Sequence, residues 1–175
     1  MSERPGRYQR SFSGMVGAMI VLVLVVALFV AFRSITRNDP QHTVDAVDYT
    51  RPAEFAREQA RFPLLAPAEL PEGWRATSVD FTNARDQAWH VGFLTGDDQY
   101  VGLEQADETA GQMVEEHVDD EATEGDPVMV DGEEWQSWTD EGGDSALVRE
   151  TDQVTTLVVG TVPQESLVSF VQSLR

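Results

Sequence analysis

The stretch VTTLVVGTV, Val154 to Val162, carries apolar side chains on both of its alternating faces. Such a strand must be covered on both sides, which places it at the centre of a sheet. Its neighbours in sequence follow from turn chemistry. SALVRE (Ser145 to Glu150) precedes it across Thr151-Asp152-Gln153, a second hairpin. Further upstream, VMV (Val128 to Val130) and EEWQSWTD flank Asp131-Gly132. That dipeptide is a type I′ hairpin signal, because both central residues must take positive φ. Downstream, PQESLVSFVQSLR (Pro163 to Arg175) reads as a closing helix. Pro suits the first helical turn, Leu167, Phe170, Val171 and Leu174 recur at helical spacing, and Arg175 suits the negative helix end.

The middle of the chain switches from period two to a helical period. AELPEGWRATSVDF (Ala68 to Phe81) turns at Pro71-Glu72-Gly73 and enters a strand, with Trp74 expected to tuck its start into the core. AWHVGFLT (Ala88 to Thr95) and YVGLEQA (Tyr100 to Ala106) continue a three-strand meander around Asp97-Asp98. TAGQMVEEHV (Thr109 to Val118) opens with Thr-x-x-Gln, a capping box that satisfies free backbone N–H groups. The expected fold is therefore α+β. An N-terminal transmembrane helix leads into a curved antiparallel sheet, in the order βββαββββα, with two helices packed on it.

The transmembrane expectation rests on GMVGAMIVLVLVVALFVAF, Gly14 to Phe32, which holds no charged residue and is bracketed by Arg10 and Arg33. Such a helix is about 28 Å long, close to the hydrocarbon thickness of a bilayer. A cleaved signal peptide would have a shorter apolar core and a small-x-small site after it, and Val30-Ala31-Phe32-Arg33 offers none. Three Arg precede the segment and two follow it, so the positive-inside rule puts the N-terminus in the cytoplasm and the domain outside. The resulting organisation is a short cytoplasmic N-terminus over 1–13, the membrane helix over 14–32, a spacer over 33–61 and an acidic extracytoplasmic domain over 62–175. Within the spacer, Thr50 and Pro52 could start a short helix with Phe55, Gln59 and Phe62 on one face.

Charge narrows the partners. The chain carries −19, yet five of its twelve Arg fall in the first 37 residues beside a single acid. The remainder holds thirty acids against seven Arg, a net of −23. Phosphate binding needs a basic patch, so nucleic acid is excluded as a partner. The chain has no Cys, hence no disulfide framework and no thiolate metal site.

The segments LAPAELPEGWRATSVDF, AWHVGFLTGDDQYVGLEQ, VDGEEWQSWTD, SALVRE and ESLVSFVQSL together resemble the actinobacterial "domain of unknown function" family four-two-four-five. That resemblance implies one N-terminal membrane helix followed by a small extracytoplasmic domain, and no assigned activity. The chain departs at Thr95-Gly96-Asp97, where Pro after Thr would be expected. The run from a Pro-x-Gly-Trp strand to a final helix is also loosely similar to Mog1p/PsbP-like domains, an analogy of fold alone.

Side-chain chemistry offers few candidates. His42, His90 and His117 lack the spacing of a helical zinc pair. Sixteen acids and no Arg lie between Glu104 and Asp144, densest in DDEATEGD. Asp119, Asp120, Glu121, Glu124 and Asp126 are the weak calcium candidates, but they do not follow the twelve-residue loop geometry, and charge runs are usually solvated. GGDSA (Gly142 to Ala146) resembles an esterase motif, but no His follows residue 117. No catalytic residue and no cofactor are therefore expected. Of four Trp, Trp135 and Trp138 must face opposite sides of one strand, and Trp138 is the candidate for a binding surface. The sequence thus points to a non-catalytic, membrane-anchored binding or envelope-assembly module with an unidentified protein partner. The alternatives are an envelope hydrolase using Asp/Glu chemistry and a membrane-bound regulator.

Overall fold

The computed structural model describes residues 45–175 and eight positions within 16–26. Those eight positions are helical, and the apolar side chains among them, Val16 to Val26, are exposed. Among the described residues, no helix is long and apolar enough to cross a membrane. The rest of the expected membrane helix, Gly14 to Phe32, lies outside the described residues. The chain divides into two compact units, Met1–Thr43 and Val44–Arg175.

The second unit is α+β. Its elements are α1 (Thr50–Gln59), β1 (Arg75–Thr82), β2 (Ala88–Leu94), β3 (Tyr100–Ala106), α2 (Ala110–His117), β4 (Thr123–Glu124), β5 (Val128–Val130), β6 (Glu133–Thr139), β7 (Ser145–Glu150), β8 (Thr155–Gly160) and α3 (Gln164–Ser173). All the strand pairings among them are antiparallel, in the order β1-β2-β3-β8-β7-β6-β4, with β5 paired to β6. The apolar run that begins at Val154 lies at the centre of this order, and all six residues of β8 are buried.

Burial on both faces of β8 divides the core in two. On one face, Val158 joins Trp89, Val91, Phe93, Leu103, Leu147 and Trp135 beneath α1 and α3. On the other, Leu157 and Val159 join Ala146 and Val148 beneath Met113 and Val114 of α2. The buried Gln105 fastens the segment before the sheet to the first face. Its amide donates to the Pro63 carbonyl and to Thr156 Oγ1, and its Oε1 accepts from the Leu65 N–H at 2.7 Å. The Trp89 indole donates to the Leu65 carbonyl at 2.9 Å. At the C-terminus, the Arg175 N–H donates to the Ala66 carbonyl and the Ala66 N–H to the Arg175 carbonyl, closing the chain on itself.

The local signals took their expected forms in several places. Asp131 and Gly132 both have positive φ, at 51° and 86°, as the type I′ turn requires. Thr109 and Gln112 form the reciprocal capping box. In the turn Pro71-Glu72-Gly73-Trp74, the Trp74 N–H donates to the Pro71 carbonyl at 3.0 Å and Gly73 takes φ 81°. A Cβ on Gly73 would lie 3.3 Å from the Gly96 Cα, so the turn packs against the position where the family resemblance leads one to expect Pro. Trp74 is half-buried and stacks on Phe170 of α3, centroids 5.6 Å apart, and Phe170 meets Phe93 edge-on at 5.2 Å.

Several expectations need correction. Three helices, not two, pack on the sheet, and the two-residue β4 adds a strand to the expected order. The packed unit starts upstream of Phe62, because α1 and Tyr49 belong to the core. Helix α1 does not turn Phe55 inward: Phe55 is 60% exposed, while Ala53 and Ala56 are buried. Small residues bring the helix close to the sheet, so the apolar face was carried by alanines rather than by the larger ring. Nor does Thr50 cap the helix; Asp48 Oδ1 accepts from both the Thr50 N–H and the Thr50 hydroxyl.

Replacing Gly73 by Ala should destabilise the domain by about 1 kcal/mol or more, since Ala resists positive φ and its methyl meets the 96 backbone. Urea unfolding followed by Trp fluorescence measures this, and an unchanged midpoint would remove the turn from the account.

Candidate functional site

Helix α2 covers β7 and β8, and among the described residues the β1–β3 part of the same face has no helix over it. A register shift places polar groups there. Between Ala76 and Ser78, β1 carries a bulge, so Ala76 and Val79 both serve the core and Ser78 turns to the other face. A bulge re-aims side chains in this way, which is why bulges recur beside functional sites. Asp80, His90 and Glu104 then lie in one row, since Asp80 pairs with His90 across β1–β2 and His90 with Glu104 across β2–β3.

Three of these groups form a hydrogen-bonded chain. Ser78 Oγ lies 2.8 Å from His90 Nε2, and His90 Nδ1 lies 2.5 Å from Glu104 Oε1. The His90 side chain is 32% exposed and that of Glu104 only 10%. The hydrogen bond to Glu104 raises the His90 pKa above its usual 6.5, against partial burial that lowers it, and the nearby Glu104 and Asp80 charges add to the rise. Tyr100 lies alongside. Its ring reaches over Gly102, where an added Cβ would come within 2.6 Å of the phenol oxygen, and over the paired Gly92. Burial, with a smaller contribution from Glu104, pushes the Tyr100 pKa up to about 12, so the phenol keeps its proton. At Gly92 a Cβ would overlap Ser78 Oγ and crowd Tyr100, so only Gly lets Ser78, His90 and Tyr100 meet.

Nucleophile, base and orienting carboxylate thus stand in the sequence that serine hydrolases use. The surroundings differ from a hydrolase site. His90 and Glu104 sit within paired strands, whose backbone N–H groups serve the ladder, and Ser78 lies beside a bulge on the edge strand β1. Among the described residues, cavities of about 520, 420 and 160 Å³ lie away from them, around the α2 start and the β7–β8 turn and beneath Arg149.

The residues singled out in the sequence fall in other places. Asp119, Asp120, Glu121, Glu124 and Asp126 are all exposed, and Asp119 accepts from the Glu121 N–H. Among the described residues, no three His or acidic side chains converge to hold a metal. Trp135 enters the first core cluster. Trp138, on the opposite face, is half-buried against the second, and its indole N–H is buried without a partner among the described residues. In Gly142 to Ala146, Asp140 accepts from the Gly143 and Asp144 N–H groups, each at 2.7 Å, so the segment is a turn. His117 lies at the end of α2, and His42 lies outside the described residues.

No local pattern signals the Ser78–His90–Glu104 chain, because its members are spread over three strands and Ser78 reaches the shared face only through the bulge. The alternation of His90 against Trp89 and Val91 was the one available signal.

The molecule is therefore an α+β domain with one sheet face half covered and a polar row on the uncovered half. A family model described as Protein of unknown function (DUF4245) matches residues 7–174, and the chain belongs to that family. No curated protein matches the sequence. Among solved structures, a chain in the complex of Pseudomonas aeruginosa MucA/MucB is similar at 15% identity, with a TM-score of 0.38. The similarity covers 63% of this chain and 34% of that one, and at that score it carries no argument.

The raised His90 pKa makes the domain's stability depend on pH. The His90–Glu104 contribution is fully present below 6.5, the unfolded value, and is lost as pH rises through the higher folded value. Thermal unfolding across that window should show a falling midpoint in the native chain and a flatter profile in His90→Gln. Equal slopes would mean that the pair contributes nothing.

Proposed function

We propose that this protein is a single-pass membrane protein whose acidic domain stands outside the cytoplasm and binds a protein partner through the uncovered half of its sheet. The observation that carries this reading is the Ser78–His90–Glu104 chain on the sheet face that, among the described residues, no helix covers over β1–β3. Buried polar groups of this kind are costly unless satisfied, and satisfied networks present a fixed pattern of donors and acceptors. A fixed pattern beside a solvent-facing sheet suits recognition. The partner is one with a basic surface, since residues 38–175 carry a net −23 and Asp80 and Glu104 flank His90. The anchor reading is supported by the uncharged run Gly14 to Phe32, and the orientation by the three Arg before it.

A second reading, an envelope hydrolase with Ser78 as nucleophile, is favoured by the hydrogen-bond geometry alone. It requires an oxyanion donor beside Ser78. A fluorophosphonate probe separates the two: recognition predicts no adduct on Ser78, and a His90-dependent adduct would favour the hydrolase.

The binding reading is tested by photo-crosslinking in intact cells from position 80, with position 129 on β5 as control. A salt-sensitive adduct with a basic protein should form from position 80, weaken in Ser78→Ala and be missing from position 129. The same adducts from both positions would contradict it. Protease shaving checks the orientation: the domain should be degraded on intact cells, and survival until lysis would place it inside.

A further inference from the structure

We propose that protonation of His90 reverses the Ser78–His90 hydrogen bond, so that the uncovered face offers its partner a hydroxyl donor in one charge state and an acceptor in the other. The inference rests on the reading of this face as a recognition surface, but the reversal can be measured without any partner, so the two can fail separately.

Glu104 fixes the tautomer of His90. A carboxylate can only accept hydrogen bonds, so the proton between it and His90 belongs to Nδ1 in both charge states of the ring. In neutral His90, Nε2 is then a bare acceptor. Ser78 Oγ stands 2.8 Å away, so its hydroxyl must donate inward and only its lone pairs face outward. When His90 gains a proton, it gains it on Nε2. The new N–H donates to Ser78 Oγ, and the hydroxyl hydrogen is released to point away from the ring. One proton on the imidazole thereby changes the outward character of the serine, with no backbone movement.

The surroundings favour this reversal. His90 is partly exposed, so the proton exchanges with solvent. Among the described residues Ser78 is the group bonded to Nε2. The charged and titratable groups facing the ring are Asp80 from β1 and Glu104 and Tyr100 from β3. Asp80 and Glu104 favour the protonated ring, and Tyr100 stays neutral. On β2 itself the same face holds Ala88 and Gly92, which carry no charge. The raised His90 pKa puts the change above pH 6.5.

These neighbours also define the group that is recognised. In the protonated state the hydroxyl donor lies beside Asp80, its neighbour on β1, with Glu104 beyond the ring, and these carboxylates repel another carboxylate. An uncharged acceptor fits, and in a protein partner that is a peptide carbonyl oxygen.

The test uses the uniformly ¹⁵N-labelled full chain in detergent micelles. At high pH, His90 should show a protonated Nδ1 and an unprotonated Nε2; on acidification Nε2 should protonate with a midpoint above 6.5. Glu104→Gln should lower that midpoint. N,N-dimethylacetamide, which can only accept, should shift the Ser78 and Gly92 signals below the midpoint and not above it, while acetate should shift them at neither. A neutral ring protonated on Nε2 would overturn the proposal in the native chain, whatever the variant does. So would an amide response equal on both sides of the midpoint, or an acetate response matching it. A normal tautomer and amide response with no partner crosslinked from position 80 would leave the switch standing and overturn the binding reading.

Discussion

Burial of β8 on both faces is the constraint from which the rest of the structure follows. A strand with Val158 on one side and Leu157 and Val159 on the other needs two coverings. The chain supplies them unequally. Helices α1 and α3, with the segment fastened by Gln105, cover one face broadly, whereas the eight-residue α2 covers only the β7–β8 part of the other. The half-open face is thus a consequence of one short helix set over a long sheet. Among the described residues, groups on β1 to β3 that point that way have the Tyr100 ring as apolar cover and no helix, and a polar row can persist there if its members satisfy one another.

That row also explains the glycines of the meander. Gly92 and Gly102 pair across β2 and β3, and their missing side chains are replaced by the Tyr100 ring. A glycine in a strand usually weakens it, and here the aromatic ring restores covering to the pair. The same arrangement holds Ser78 against His90. Packing and the candidate site are therefore parts of one local solution, and the bulge before Ser78 is what joins them.

Much of the fold was legible because it depends on local patterns. The two-faced apolar run from Val154, the Asp131-Gly132 turn, the Thr109–Gln112 box and the helical spacing of Leu167 and Phe170 each encode their own geometry within a few residues. Helix α1 was half legible: Pro52 marked its start, but Ala53 and Ala56 carry little hydrophobic signal, so Phe55 drew attention to the wrong face. The site was not legible. Ser78, His90 and Glu104 are separated by twelve and fourteen residues, and their meeting depends on strand register and on one bulge, neither of which has a sequence signature. The acidic loop and Trp138 stood out in composition, but composition does not report convergence, and the acids of that loop are spread over solvent.

The central claim is that the His90 face is occupied where the protein works. Histidine footprinting with diethylpyrocarbonate addresses it directly, comparing the protein in its native cells with the purified full chain, because His117 lies at the end of α2 and serves as an internal reference. The predicted result is that His90 is modified more slowly in cells than in the purified protein while His117 reacts alike in both. Equal modification of His90 in the two preparations would contradict it.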